Sequence, residues 1–149
     1  MTRIRITKEF RFEAAHVLKD YDGPCRNIHG HSYELSVTIS GIPITDPSSP
    51  KKGMVMDFGI LKKVVQKEII DIFDHSLVIS PAYGPEILDH MKKNFSNILV
   101  VPYQPTSENL LIDFVSRITS HLPENIRLIS MKLRETASSY AEWFENDNL

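Results

Sequence analysis

The stretch Cys25-Arg26-Asn27-Ile28-His29-Gly30-His31 concentrates the reactive side chains of this 149-residue chain. His29 and His31 are separated by one residue, and in an extended backbone residues i and i+2 point to the same side. They can therefore aim two imidazoles at one point. The glycine between them lets the backbone bend closely around whatever they hold. His16, upstream, continues an alternating apolar series and supplies a third imidazole. Three neutral imidazoles leave zinc its positive charge and an open coordination position, the pattern of a catalytic metal. Imidazole also suits iron, nickel and copper, so ligand type favours zinc without fixing it. The bland alternative is two strand-edge histidines and one loop histidine. Cys25 is the only cysteine. It is either an inert small hydrophobe or, in its polar loop beside a metal that favours the thiolate, a nucleophile or base.

Two further places hold candidate chemistry. Asp74-His75 either ends a helix, with the imidazole at the negative dipole end, or forms a carboxylate-oriented proton relay. Glu135 falls on the apolar face at the end of a strand, where a carboxylate must be either paired or functional. His90 and His121 lie in amphipathic helical contexts and read as surface residues.

The elements that position these groups follow from periodicity. Over residues 3–16, Ile4, Ile6, Phe10, Phe12 and Ala14 alternate with Arg3, Arg5, Thr7, Glu9, Arg11 and Glu13, predicting a half-buried strand that ends at His16. Residues 17–28 read as a loop. Alternation resumes at His31 with Tyr33, Leu35, Val37 and Ile39. If the two strands pair antiparallel, His16 closes one and His31 opens the next at the same sheet edge. Residues 41–53 read as a Pro- and Ser-rich loop. Asp57 caps a helix from Phe58 to about Phe73 with the stripe Phe58, Leu61, Val65, Ile69 and Ile72. Residues 76–104 read as a second long connection, with a short helix over 85–94 and an apolar run at 98–103 whose type periodicity does not fix. Thr106 or Ser107 caps a second long helix carrying Leu110, Leu111, Phe114, Val115, Ile118 and Leu122 inward. Residues 126–135 alternate with Ile129, Met131 and Leu133 facing in, and Tyr140–Phe144 reads as a last strand. The expected class is α+β in one domain spanning 1–149, with two helices on one face of an antiparallel sheet.

Composition excludes several function classes. A hydrophobic content of 42% and a charged content of 24% are ordinary for a soluble domain. A net charge of -2 argues against nucleic-acid or polybasic membrane binding. No apolar run reaches the ~18 residues of a membrane span, and the N-terminus lacks the apolar core of a signal peptide. One cysteine forms no internal disulfide, which fits a reducing cytoplasm.

Taken together, Phe12-Glu13-Ala14-Ala15-His16, Cys25-x3-His29-Gly30-His31, Met56-Asp57-Phe58, Asp74-His75, Pro105-Thr106-Ser107-Glu108-Asn109 and Glu135-Thr136 resemble, in order, the motifs of the 6-pyruvoyltetrahydropterin and 6-carboxytetrahydropterin synthase superfamily. The resemblance covers about residues 3 to 145. It implies a tunnelling fold, β-β-α-α-β-β, whose subunits close into trimeric barrels that stack as a homohexamer. It implies active sites shared between subunits, and a barrel lined by the polar strand faces. It implies that His16, His29 and His31 bind Zn2+, that Cys25 with Asp74 and His75 moves protons, and that Glu135 anchors the pterin. Thr106, Thr136 and Glu108 are implied as further substrate contacts.

The C-x3-H-G-H spacing resembles the 6-carboxytetrahydropterin branch, which belongs to queuosine biosynthesis. The expected function is a lyase acting on 7,8-dihydroneopterin triphosphate. The alternatives are 6-pyruvoyltetrahydropterin synthase activity and a non-catalytic zinc or pterin binder. Arg11, Lys19, Arg26 and Lys51 are unranked candidates for the triphosphate.

Overall fold

The computed structural model describes residues 1–149. Two long strands form its spine, β1 (Ile4–His16) and β2 (His29–Gly41), paired antiparallel along their whole length. Phe10, Phe12, Ala14 and His16 of β1 and Tyr33, Leu35, Val37 and Ile39 of β2 are buried, so both strands turn one apolar face inward. The register sets His16 opposite His29 and Ala14 opposite His31. The strand therefore resumes two residues before the point where apolar alternation begins. Gly30 pairs with Ala15 inside the regular ladder and has no positive φ. The expected bend at this glycine is absent, because the pleat alone points both flanking histidines to one side.

The helical rod spans the expected Phe58–Phe73 but is more irregular than its sequence pattern. Asp57 caps α1 (Phe58–Val65) by accepting from the Gly59 N–H. A π-helical turn over Gln66–Ile70 follows and runs directly into α2 (Asp71–Phe73). The wide turn rotates the rest of the rod. Ile69, Ile70 and Phe73 reach the core, Ile72 is half-buried, and Phe58 is exposed. The 76–104 connection is no simple loop. It contains β3 (Ser76–Ile79), α3 (Pro85–Asn94) and β4 (Ile98–Val100). β3 runs parallel to β1 and β4 parallel to β3, so the sheet is mixed rather than antiparallel. Short apolar runs flanked by a helix give no periodicity to reveal this. Residues 42–57 form the expected irregular segment.

Thr106 caps α4 (Ser107–Thr119) by accepting from the Asn109 N–H. Leu110, Leu111, Phe114 and Ile118 drive its inner face into the main core, where Phe114 meets Phe12 and Phe73 edge-on. β5 (Arg127–Thr136) and β6 (Ser139–Phe144) complete a six-stranded sheet in the order β4-β3-β1-β2-β5-β6. β5 carries two irregularities. Opposite Thr38/Ile39 of β2 the register skips Ile129, so Leu128 is buried where the alternation pointed to Ile129. Between Arg134 and Thr136 the pairing with β6 skips Glu135. The α+β class stands, with the two long helical rods and the expected short helix at Pro85–Asn94.

Candidate active site

Antiparallel pairing of β1 with β2 brings the three histidines together at one end of the sheet. Their ligand atoms all lie within 4.8 Å of one another. The ring of His16 is 2% exposed, and its Nδ1–H donates to the Pro105 carbonyl at 2.7 Å. The His29 Nδ1–H donates to the Asn27 carbonyl, also at 2.7 Å. Each carbonyl fixes a tautomer and leaves Nε2 with its lone pair, as in most metal-bound histidines. Those two Nε2 atoms face each other at 2.9 Å. Lone pairs at that distance repel unless a cation lies between them. His31 Nε2 is buried without a hydrogen-bond partner; Glu135 Oε1 is 3.3 Å away but outside hydrogen-bond geometry. Burial pushes the His16 and His31 pKa values down, against the opposing pull of Glu135. Both rings are therefore neutral at pH 7, the form that ligates. The donor set fits a metal ion.

A cavity of about 320 Å³ opens beside this cluster, lined by His16, Cys25, Thr106, Glu108 and Glu135 among others. Its volume is in the range of small-molecule sites. Cys25 reaches it from the short 3₁₀ turn Pro24–Arg26 and is half-buried. Glu135 reaches it because the β5–β6 bulge re-aims a residue that the ladder leaves unpaired. One Glu135 oxygen faces His31, and the other accepts from the Ser107 hydroxyl at the start of α4. Thr136 lies outside the cavity lining, and its Oγ1 accepts from the Ser138 N–H.

Asp74 and His75 are elsewhere. Asp74 Oδ1 accepts from the Glu13 N–H at 2.9 Å, and Oδ2 lies 3.1 Å from His75 Nδ1. The Glu13 amide, with a further contribution from His75, holds the Asp74 carboxyl below its ordinary range. His75 has φ 57°, a left-handed conformation that non-glycine residues adopt uncommonly. Asn97 bridges the carbonyls of Asp74 and His75 and pins this turn. His75 shares a different cavity with Glu13, Gly30, Ser32 and His31 of the histidine cluster. One chain therefore sets Cys25 and Glu135 beside His16 in one cavity and His75 beside His31 in another.

Of the cationic candidates, Arg11 pairs with Glu34 and Lys51 pairs with Asp57. Lys51 belongs to the Ile4 end of β1, remote from His16. Lys19, paired with Asp20, and Arg26 lie on the loop that carries Cys25. His90 and His121 are on the surface, His121 facing Glu68. Tyr33 was legible but missed as a site neighbour. It is the next member of the His31 series, it is buried, and its hydroxyl has no partner. Burial first, then Glu135 and Cys25, push its pKa far above the usual tyrosine range. Ser107 had no comparable signal, because its bond to Glu135 spans 28 positions.

The sequence profile of the 6-pyruvoyl tetrahydropterin synthase family matches residues 5–146. The chain belongs to this family. Among curated members, a 6-carboxy-5,6,7,8-tetrahydropterin synthase of Haemophilus influenzae is 37% identical over 95% of this chain and 99% of its own. One from Aquifex aeolicus is 32% identical over 94% of this chain and 97% of its own. The Caenorhabditis elegans 6-pyruvoyl tetrahydropterin synthase structure superposes with TM-score 0.67 at 27% identity, covering 97% of this chain and 96% of that one. An uncharacterized Wolinella succinogenes protein superposes at 0.79 with 20% identity, over 97% and 99% of the two chains, and shares the fold. Membership of this synthase family makes the chain an enzyme of the pterin synthase type. No helix is long and apolar enough to cross a membrane.

Proposed function

We propose that this chain is a zinc-dependent lyase. It converts 7,8-dihydroneopterin triphosphate and water to 6-carboxy-5,6,7,8-tetrahydropterin, acetaldehyde and triphosphate, in queuosine and related 7-deazapurine biosynthesis. The supporting observation is one cavity lined by His16, Cys25 and Glu135, in a chain whose curated relatives are named for that product.

His16, His29 and His31 are the residues that would hold zinc, and polarisation of the substrate's side-chain hydroxyls is the chemistry a bound zinc supplies. The Glu135 carboxylate accepts from the pterin 2-amino group and the adjacent ring N–H, two parallel donors that match its two oxygens. Thr106 and Glu108 flank the same cavity and contact the pterin; Thr136 supports the bulge that carries Glu135. Cys25, as thiolate, removes the proton from the side-chain carbon next to the ring. His75, oriented by Asp74, moves protons to and from the hydroxyls. A neighbouring copy supplies His75 to each Cys25 in a homohexamer of two trimers, a reading supported by the separate cavities that the two residues line in one chain. A cytoplasmic location keeps the single thiol reduced.

The test is mass spectrometry of products from zinc-loaded protein and 7,8-dihydroneopterin triphosphate under anaerobic conditions. We expect 6-carboxytetrahydropterin and acetaldehyde. A 6-pyruvoyl product reverses the branch, and bound pterin without turnover supports a binder.

A further inference from the structure

The structure assigns Gln104 as the positioning residue for the loop that carries Cys25. The segment between His16 and His29 has few ties of its own. Its backbone bonds are Leu18 N–H to the Cys25 carbonyl, Tyr21 N–H to Leu18, Arg26 N–H to Gly23 and Asn27 N–H to Pro24. Asp20 adds a left-handed residue at φ 61°. The Gln104 side chain docks on this segment from outside. Its Nε2 donates to the Lys19 carbonyl at 3.0 Å, and its Oε1 accepts from the Lys19 N–H at 3.3 Å. A planar amide offers both a donor and an acceptor, so it can grip both groups of one peptide residue as a neighbouring strand would. Lys19 adjoins Leu18, whose N–H holds the Cys25 carbonyl at 3.0 Å.

Gln104 is itself anchored where the rest of the site is built. Its own carbonyl accepts from Asn109 Nδ2 at 3.0 Å. The next residue, Pro105, holds His16; Thr106 caps α4; Ser107 holds Glu135. One short turn therefore references the metal-ligand His16, the carboxylate Glu135 and, through Gln104, the Cys25 loop to each other. Loss of the clamp lets Cys25 drift while His16 and Glu135 stay in place. Misplacing a reacting group by about 1 Å can cost on the order of 10²-fold in rate.

This inference rests on the assignment of Cys25 as the reacting thiol, and its test has a readout independent of turnover. Gln104→Met keeps the side-chain length and removes both bonds; Gln104→Glu keeps the acceptor and loses the donor. We expect kcat to fall roughly 10- to 100-fold in Gln104→Met and less in Gln104→Glu, with KM changed less than about threefold, because orientation rather than binding is lost. Cys25 is the sole cysteine. Its alkylation by iodoacetamide should accelerate at least about fivefold in Gln104→Met as the loop loosens, while zinc content stays at the wild-type level. Alkylation within twofold of wild type overturns the inference, as does zinc loss in step with the rate loss. If the wild type shows no turnover of the pterin triphosphate, the functional reading fails and the alkylation comparison still decides the clamp. If Gln104→Met does not fold, Gln104→Glu decides it on the same readouts.

Discussion

At His16 the chain commits a buried imidazole to a single protonation state. Burial lowers its pKa, and the Pro105 carbonyl fixes which nitrogen faces the cluster. His31→Ala should leave the fold intact and abolish stoichiometric metal, as read by elemental analysis; unchanged zinc would refute the ligand set. Cys25→Ala should keep the metal and lose at least about 10²-fold in turnover, the usual scale of a lost acid–base group. Asp74 has a pH consequence of its own. Its folded-state pKa is lowered, chiefly by the Glu13 amide, so the folded protein binds fewer protons at this carboxyl than the unfolded chain. Its stabilising contribution is present above the unfolded carboxylate range near ~4 and is lost as pH falls through the lower folded value. Asp74→Asn should flatten the acid limb of the stability curve relative to wild type. An unchanged limb in acid titration followed by circular dichroism would contradict this.

At the scale of elements, the site is made by strand ends and one helix cap. The Thr106 hydroxyl satisfies the Asn109 N–H, and Thr106→Ala should lower stability by about 1 kcal/mol in denaturant unfolding. Because Ser107 and Gln104 flank that cap, the variant should also lower kcat. Phe114 anchors α4 against Phe12 and Phe73. Phe114→Ala should cost about 3–5 kcal/mol, the range for emptying a buried aromatic site. The bulge at Glu135 was invisible in sequence, because alternation predicts the face of a residue and not a skipped pairing partner. The same limit hid the burial of Leu128 in place of Ile129.

At the scale of the whole molecule, the placing of Cys25 and His75 in different cavities makes the number of copies in a site measurable. Cys25→Ala and His75→Ala should each be inactive alone. If each site takes these residues from two copies, co-refolding an equal mixture should restore activity at about a quarter of the sites by random assembly. A mixture as inactive as either parent would show that one chain supplies both groups after a rearrangement.

Much of the site was legible because alternation and short spacing are local properties. His16, His29 and His31 needed only a period of two and one antiparallel hairpin to meet, and Glu135 announced itself as a carboxylate on an apolar face. The sequence alone thus determined the α+β class, the long strands, the capped helices and the three histidines that could hold a metal ion. Tertiary structure alone decided what depends on pairing between distant segments. It added β3 and β4 in parallel, turned the helix after Val65 through a π turn, and brought Ser107 to Glu135 and Gln104 to Lys19. It also set Cys25 and His75 in different cavities. Those outcomes rest on contacts tens of residues apart, whose geometry is set by packing the whole sheet against its helices, and no local pattern of residue types encodes them.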